Sequence, residues 1–402
     1  MTKKQVLKYR VPDDWFVYDA AALMSLHGEA QAAVAGLTEA PFRRTWLESS
    51  GEQRVRAEVA GTCRLGGLTL TEAEIDRAMS DADGGDTATR AELRARAAAR
   101  TYRWIGALPG EMRVDAGLLS GVHRRLTAGA GGDPGAPGNL RIKNEQVFFG
   151  NPLQRGAKGG RECHEALAGV LNALASSREA QSPLVRSFAF HYHVTSIHPF
   201  AEANGRTARA LETILRQAAG LGGHHFVSMA DYYFGEQKAY LDALSAARRA
   251  GHDLTPFLDF ALRGLTLQCR RLSRQVREHI AVALFEDTAT RLFAPLRTGK
   301  RQAMAERQVQ MLRILIDERR MAVRELYGRL RSGYANLRNP WKAFMRDTSD
   351  LLEVGAVRPG EPGEPELVLN LAWPSEIGEA EFFGHYTQTP RSGAALSGLH
   401  IL

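Results

Sequence analysis

The chain has 402 residues, 44% apolar and 24% charged, a composition that excludes a disordered chain and leaves room for two or three compact units. A formal net charge of +7 with a pI near 9.4 favours an anionic partner: a nucleotide, a nucleic acid or an acidic protein face. Only eight of the 52 basic residues are lysine, so the excess is an arginine bias that a GC-rich genome also produces.

The opening MTKKQVLKYRVPDDW carries basic residues with no apolar stretch behind them, and no apolar run reaches bilayer-spanning length; a cytoplasmic protein without membrane contact is expected. Cys63, Cys163 and Cys269 stand far apart with no Cys-x-x-Cys pair, against a disulfide framework and against a cysteine zinc site. Periodicity is helical almost throughout, so the expected fold class is mostly α. Residues 128–160 break the pattern: Gly and Pro crowd around Val147, Phe148 and Phe149, which predicts a hairpin flap between helices. SPLVRSFAFHYHVTSI then has amphipathic spacing, with Leu184, Phe188 and Tyr192 on one face and Pro183 in the first turn. Pro199 ends that helix and leaves His198 at its exit. Asn204-Gly205 signals a turn, with Asn204 as N-cap of a helix that carries Ala208, Leu211, Leu215 and Ala218 on one face and ends near Gly220. A long helix follows Pro256, marked by Leu258, Leu262, Leu265, Leu272 and Val276. Composition shifts near APLRTGKRQ (294–302). Beyond it, Val309, Leu312 and Leu315, then Val323, Leu326 and Leu330, then Trp341, Phe344, Thr348 and Leu351 predict three short helices. A strand is expected at Glu366–Leu371, and 375–402 read as a polar, glycine-containing tail.

The stretch HPFAEANGRTAR (198–209) concentrates the chemistry. A loop feeding a helix N-terminus offers free N–H groups and the positive end of the macrodipole, a natural place for phosphate. Arg206 and Arg209 can fork onto phosphate oxygens. Glu202 suits such a site if it holds Mg²⁺, which takes carboxylate and phosphate oxygens together. His198, expected to titrate near neutrality, is the candidate base for a hydroxyl attacking phosphorus. Phe200 is expected to anchor the loop in the core. Taken singly, a histidine before a proline ordinarily caps a helix and arginines on a helix are ordinarily solvated; the ordered set is far more specific.

That set resembles the signature of the Fic family (filamentation induced by cyclic AMP), His-Pro-Phe-x-(Asp/Glu)-(Gly/Ala)-Asn-Gly-Arg-x-x-Arg, with every fixed position met and Ala203 as the less usual small residue. LLSGVHRRLTAG (118–129), PGNLR (137–141), HYHVTSIHPF (191–200), YLDALSAAR (240–248) and DLTPFLDFAL (253–262) are similar to Fic-core segments in the family's order, and VPDDWFVYDAAAL (11–23) to the helical region before the core. The resemblance implies a Fic-type helical core with a β-hairpin flap at about 141–150, whose Val147, Phe148 and Phe149 align a protein target. It further implies a protein adenylyltransferase, with ATP as substrate and Mg²⁺ as cofactor, moving AMP to a Ser, Thr or Tyr hydroxyl with release of pyrophosphate. His198 would be the base and Glu202 the metal ligand. Ala203, Asn204, Gly205 and Arg206 would cradle the nucleotide, and Arg209 would meet the γ-phosphate.

Many Fic proteins carry an inhibitory segment, (Ser/Thr)-x-x-x-Glu-(Gly/Asn), whose glutamate pairs with the second motif arginine. Here Thr62-Cys63-Arg64-Leu65-Gly66-Gly67 aligns with it, and Gly66 stands at the glutamate. Relief from autoinhibition is expected, with Arg209 lacking its glutamate partner. The implied organisation is a helical region at 1–98 with the inhibitory-type segment near 54–67, the catalytic core with a trailing long helix at 99–300, a winged-helix-like domain at 301–374 and the tail at 375–402. In the third short helix Lys342 and Arg346 face outward, but Glu361, Glu364 and Glu366 in the wing would repel phosphate, so protein docking or dimer support is favoured over DNA. His191, His193, His224 and His225 lack partners at metal-site spacing and are expected to be structural. No P-loop occurs, so nucleotide binding rests on the 198–209 stretch. Two other functions stay open: a Fic-type transferase that uses another nucleotide or moves phosphate, and a nucleotide-sensing DNA-binding regulator. Auto-modification and homodimer formation stay open as well.

Overall fold

The structure, a computed structural model, describes residues 6–41, 44–80, 88–129, 136–143, 145–150, 153–297, 301–361 and 365–387. The chain divides into two compact units, Met1–Arg274 and Gln275–Leu402. In the first, β1 (Leu7–Lys8) precedes α1 (Ala20–Thr38), α2 (Arg44–Leu65), α3 (Glu72–Met79), α4 (Arg90–Gly106) and α5 (Ala116–Thr127). Then come β2 (Phe148–Phe149), β3 (Gln154–Arg155), α6 (Arg161–Ser176), α7 (Pro183–Ile197), α8 (Asn204–Arg216), α9 (Met229–Gly235), α10 (Gln237–Arg249) and the first half of α11 (Thr255–Phe293).

The helix starts follow local rules. Asp19, Thr89, Asp115 and Ser182 each accept a backbone N–H from inside the first turn of α1, α4, α5 and α7, and Thr71 with Glu74 closes a capping box on α3. Pro183 occupies the first turn of α7, as its sequence position predicts. One expectation changes here. The spacing of α7 predicts a helix with one buried face, yet Leu184, Phe188, Tyr192, His191, His193 and Val194 are all buried, because α7 runs through the middle of the unit. Its neighbour α8 is buried along its length as well, including Arg206, Arg209, Glu212 and Arg216. Charged side chains in such a place must be paired, and those pairs build the site.

The flap is a hairpin, β2 antiparallel to β3, with Phe148 opposite Arg155 and Phe149 opposite Gln154. Val147 lies just outside β2, but its carbonyl still accepts from Gly156 N at 3.1 Å. A third strand, not foreseen from sequence, completes the sheet: β1 pairs parallel with β3 in the order β1-β3-β2, which leaves β2 as an edge.

The second unit contains the rest of α11, α12 (Gln302–Glu318), β4 (Arg320–Ala322), α13 (Val323–Tyr334), α14 (Pro340–Glu353), β5 (Val357–Pro359), β6 (Glu366–Leu369), α15 (Trp373–Glu376) and α16 (Glu379–Thr387). Its sheet is antiparallel in the order β4-β6-β5. The strand expected over 366–371 ends at Leu369. The larger difference is the tail: residues 375–387 are not one. In α16, Phe382 and Tyr386 are buried in the core of this unit beside Phe293 and Trp373, and the Tyr386 hydroxyl donates to Gln308 Oε1 at 3.0 Å. Residues 388–402 of the expected tail, and Glu364 of the expected wing, lie outside the described residues. Among the described residues no helix is long and apolar enough to cross a membrane.

Phe382→Ala should therefore destabilise the second unit by about 3–5 kcal/mol, the usual effect of removing a buried phenyl ring. A thermal melt of the variant reports it as a clear drop in Tm; an unchanged melt would return residues 375–387 to the surface.

Candidate active site

The last turn of α7 delivers His198. Its backbone is left-handed (φ 57°, ψ 59°), its N–H donates to Val194 O at 3.0 Å, and its carbonyl accepts from Arg141 Nε at 2.8 Å. Nδ1 lies 2.9 Å from Thr195 O. A carbonyl only accepts, so Nδ1 carries the proton and Nε2 is left as an acceptor. The Phe149 ring stacks on the imidazole, centroids 3.9 Å apart at 8°. Sequence alone suggested a base titrating near neutrality. Burial instead pushes His198 down to about 4; the Thr195 carbonyl opposes this and the Arg141 and Arg248 guanidiniums add to it.

The loop that follows is held from inside. Phe200 is fully buried, as expected, and lies flat on His123 at 3.8 Å and 9°. His123 Nδ1 accepts from Gly138 N at 2.9 Å, and its Nε2 is 3.3 Å from the Glu202 carbonyl. Asn204 is not the N-cap predicted. Its Oδ1 accepts from Phe200 N at 2.8 Å and its Nδ2 donates to Phe200 O at 2.9 Å, so it laces the loop; the cap position falls to Ala203, left-handed at φ 57°. Thr207 N makes the first helical bond, to Ala203 O at 2.9 Å, so the amides of residues 204–206 project from the N-terminus of α8. Gly205 has a specific reason: a Cβ there would come within 3.1 Å of Arg209 Nη1.

The charged residues are engaged rather than loose. Glu202 accepts from Arg94 Nη2 through both oxygens, at 3.2 and 3.0 Å, with Arg206 Nη2 3.8 Å away. Arg206 also reaches Leu126 O at 3.4 Å. Arg209 is held by neutral oxygens of the same segment: Nε donates to Thr62 Oγ1 at 2.8 Å and Nη2 to Thr62 O at 3.0 Å. The Leu65-Gly66-Gly67 segment is the end of α2, with Gly67 left-handed (φ 80°) and Leu68 N bonded to Cys63 O at 3.1 Å, a helix stop built from glycine. Gly66 lies outside the positive-φ region and faces the same space as Arg206.

These groups line one cavity of about 370 Å³, with Gly66, Arg94, Phe149, His198, Glu202 and Arg209 in its wall. Its described lining has one carboxylate against three arginines, and no cluster of three metal-ligating side chains occurs among the described residues. One carboxylate does not build an all-protein cage. It fits Mg²⁺, which keeps waters and takes further ligands from phosphate.

Arg94, His123 and Arg141 escaped the sequence reading as site residues. Arg141 is 2% exposed and donates to four carbonyls, those of His198 (2.8 Å), Glu145 (2.8 Å), Ala157 (2.5 Å) and Ile197 (3.3 Å). His191 bonds Glu212 and the Tyr240 hydroxyl, His193 bonds the Trp15 carbonyl, and neither lines the cavity wall.

The site is a helical core with a flap over an imidazole, beside a helix N-terminus lined with arginine. The Fic/DOC family model matches residues 113–215, and that segment is a Fic/DOC family domain. Among solved structures, a Fic family protein from Desulfovibrio desulfuricans G20 superposes with a TM-score of 0.50 at 20% identity, covering 91% of this chain and 98% of its own. Fic-1 from C. elegans, in a form with a glutamate-to-glycine substitution, superposes at 0.50 with 18% identity over 63% of this chain and 72% of its own. No curated protein matches the chain. The fold is therefore the Fic fold, whose members are typically transferases.

The lowered His198 pKa fixes the sign of one pH effect on stability. The unfolded ring titrates near 6.5 and the folded one near 4, so the unfolded chain binds the extra proton between those values. Stability from this group is complete above about pH 6.5 and is lost as pH falls toward 4. Histidine NMR should show His198 neutral and Nδ1-protonated at pH 6. Phe149→Ala should raise its midpoint toward 6.5. A wild-type midpoint already near 6.5 would contradict the burial described.

Proposed function

We propose that this chain is a protein adenylyltransferase that moves AMP from ATP to a Ser, Thr or Tyr hydroxyl of a protein. One observation carries the reading: His198, whose Nδ1 is engaged by Thr195 O so that Nε2 is its acceptor, lines the same cavity as the N-terminus of α8, Arg206 and Arg209. The amides of residues 204–206 and the two guanidiniums would bind the phosphates, and Glu202 would hold Mg²⁺. Bound there, Mg²⁺ supplies neutralising charge to phosphate oxygens. Phe149 must lift from the imidazole for a hydroxyl to enter, and the edge strand β2 would steer that hydroxyl by pairing with the target backbone. His198 Nε2 takes the proton as the hydroxyl oxygen bonds the α-phosphorus and the bond to the bridging α–β oxygen breaks, releasing pyrophosphate.

We read the second unit as a winged helix formed by α12, α13, α14 and the β5-β6 hairpin. Lys342 and Arg346 are exposed on α14, and Glu361 is exposed beside the hairpin. That mixed charge favours docking to protein, or to a second copy, over DNA.

Incubation with ATP labelled at the α- or the γ-phosphate tests the reaction. Label retained only from the α position is the expected result, with His198→Ala reducing it about 10²–10⁴-fold and leaving nucleotide affinity unchanged. Label retained only from γ would mean phosphate transfer; no label, with specific DNA binding, would favour a regulator.

Gly66 explains why the site is open. The resemblance implies Arg209 as the partner of a glutamate here, but a Cβ on Gly66 would lie 3.8 Å from Arg206 Cδ and 3.2 Å from Cys63 O, so a glutamate would address Arg206 instead, at the cost of a small shift at the end of α2. Gly66→Glu should weaken ATP binding by about 10–100-fold, the effect of a charge-assisted pair of about 1.5–3 kcal/mol. The loss should vanish in an Arg206→Ala background. An equal loss in both backgrounds, with a lowered Tm, would assign it to strain.

A further inference from the structure

We propose that Arg94 is a built-in counter-cation of Glu202, which a divalent metal must displace to bind. The inference rests on the reading that Glu202 is the metal ligand, and it adds a control on that same position. Arg94 comes from α4, far from the motif in sequence. Its Nη2 bridges both Glu202 oxygens at 3.2 and 3.0 Å, and the two side chains are only 14% and 22% exposed. A carboxylate held this way has its inward charge satisfied, so a metal arriving alone competes with a guanidinium already in place.

The two partners differ in freedom. The Glu202 backbone is fixed by the His123 contact on its carbonyl and by the Asn204 lacing two residues on. The α4 backbone is fixed as well: Ile105 O accepts from Gln217 Nε2 at 2.8 Å, and Thr101 Oγ1 closes back onto Ala97 O at 2.6 Å. Separation must come from rotation of the long arginine side chain, which has several rotamers, and not from movement of the loop. The swing keeps the guanidinium in the same cavity, since Arg94 lines it along with Arg206 and Arg209. Repelled by a metal on Glu202 and attracted by the phosphates beside it, Arg94 becomes a third cation on the nucleotide. The site then favours metal that arrives with nucleotide over metal alone, because metal by itself must break the pair, whereas nucleotide by itself meets Glu202 through a screen of positive charge.

The test is Mn²⁺ binding to the nucleotide-free full chain, read by electron paramagnetic resonance of free Mn²⁺, in wild type, Arg94→Gln, Arg94→Lys, Glu202→Gln and Arg94→Gln/Glu202→Gln. Arg94→Gln should bind Mn²⁺ about 10–100-fold more tightly than wild type, the release of one charge-assisted pair. The gain should disappear when Glu202→Gln is added. Arg94→Lys, which keeps a charge and the helix, should show a smaller gain and serves if the glutamine variant melts early. In EDTA, Arg94→Gln should bind ATP more weakly than wild type. Unchanged or weaker Mn²⁺ affinity in Arg94→Gln, with Glu202→Gln abolishing it, overturns the counter-cation alone. Mn²⁺ uptake unaffected by Glu202→Gln overturns the metal assignment itself and this inference with it.

Discussion

Everything at the site depends on a turn between two buried helices that must expose backbone amides while keeping its own polar groups satisfied. The chain leaves α7 and enters α8 through two left-handed residues that are not glycine, His198 and Ala203, both at φ 57°. Such residues cost about 1–2 kcal/mol each and persist only where the surroundings overdetermine them. Asn204 supplies one restraint by pairing with both backbone groups of Phe200, and Phe200 supplies another by stacking on His123. Arg141 supplies the third. By gathering carbonyls from His198, Ile197, Glu145 and Ala157, one guanidinium ties the end of α7 to the segments on either side of the hairpin. The hairpin and His198 are thus registered to each other before any ligand arrives.

Electrostatics follows from the same economy of space. Arg209 is buried, and a buried guanidinium needs acceptors. Thr62 provides two neutral oxygens, which fix the side chain without cancelling its charge. A carboxylate in that role would fix and neutralise at once. The end of α2 thus packs against α8 as a support that leaves the guanidinium charge in place. Glu202 is treated in the opposite way, with its charge answered by Arg94, so the cavity has one guarded acidic group among cations.

What the sequence disclosed was local. The motif is contiguous, and its loop-then-helix character follows from Pro199, the Asn-Gly pair and helical spacing on both sides; the hairpin is written in Val147, Phe148 and Phe149 between glycines. Misreadings came where a residue had two local options or a distant partner. Asn204 is equally good as a cap or as a lace, and only the left-handed Ala203 decides between them. The burial that lowers the His198 pKa is a tertiary property, with Phe149 stacked on the ring from about fifty positions away, and Arg94 and Thr62 meet the motif across still longer separations. The strand β1 has two residues and no alternating pattern of its own. In α16 the core contacts are Phe382 and Tyr386 inside an otherwise acidic and glycine-containing stretch, so composition pointed to solvent while two aromatic rings set the packing.

The central claim is that the N-terminus of α8 receives the phosphates beside a neutral His198. Glycine-selective ¹⁵N NMR during titration with ATP and Mg²⁺ addresses it directly, because Gly205 is the glycine whose amide stands at that N-terminus. The account predicts a large downfield shift of the Gly205 amide, saturating with nucleotide and absent with adenosine. Saturable ATP binding that leaves Gly205 unmoved while shifting glycines elsewhere would contradict it.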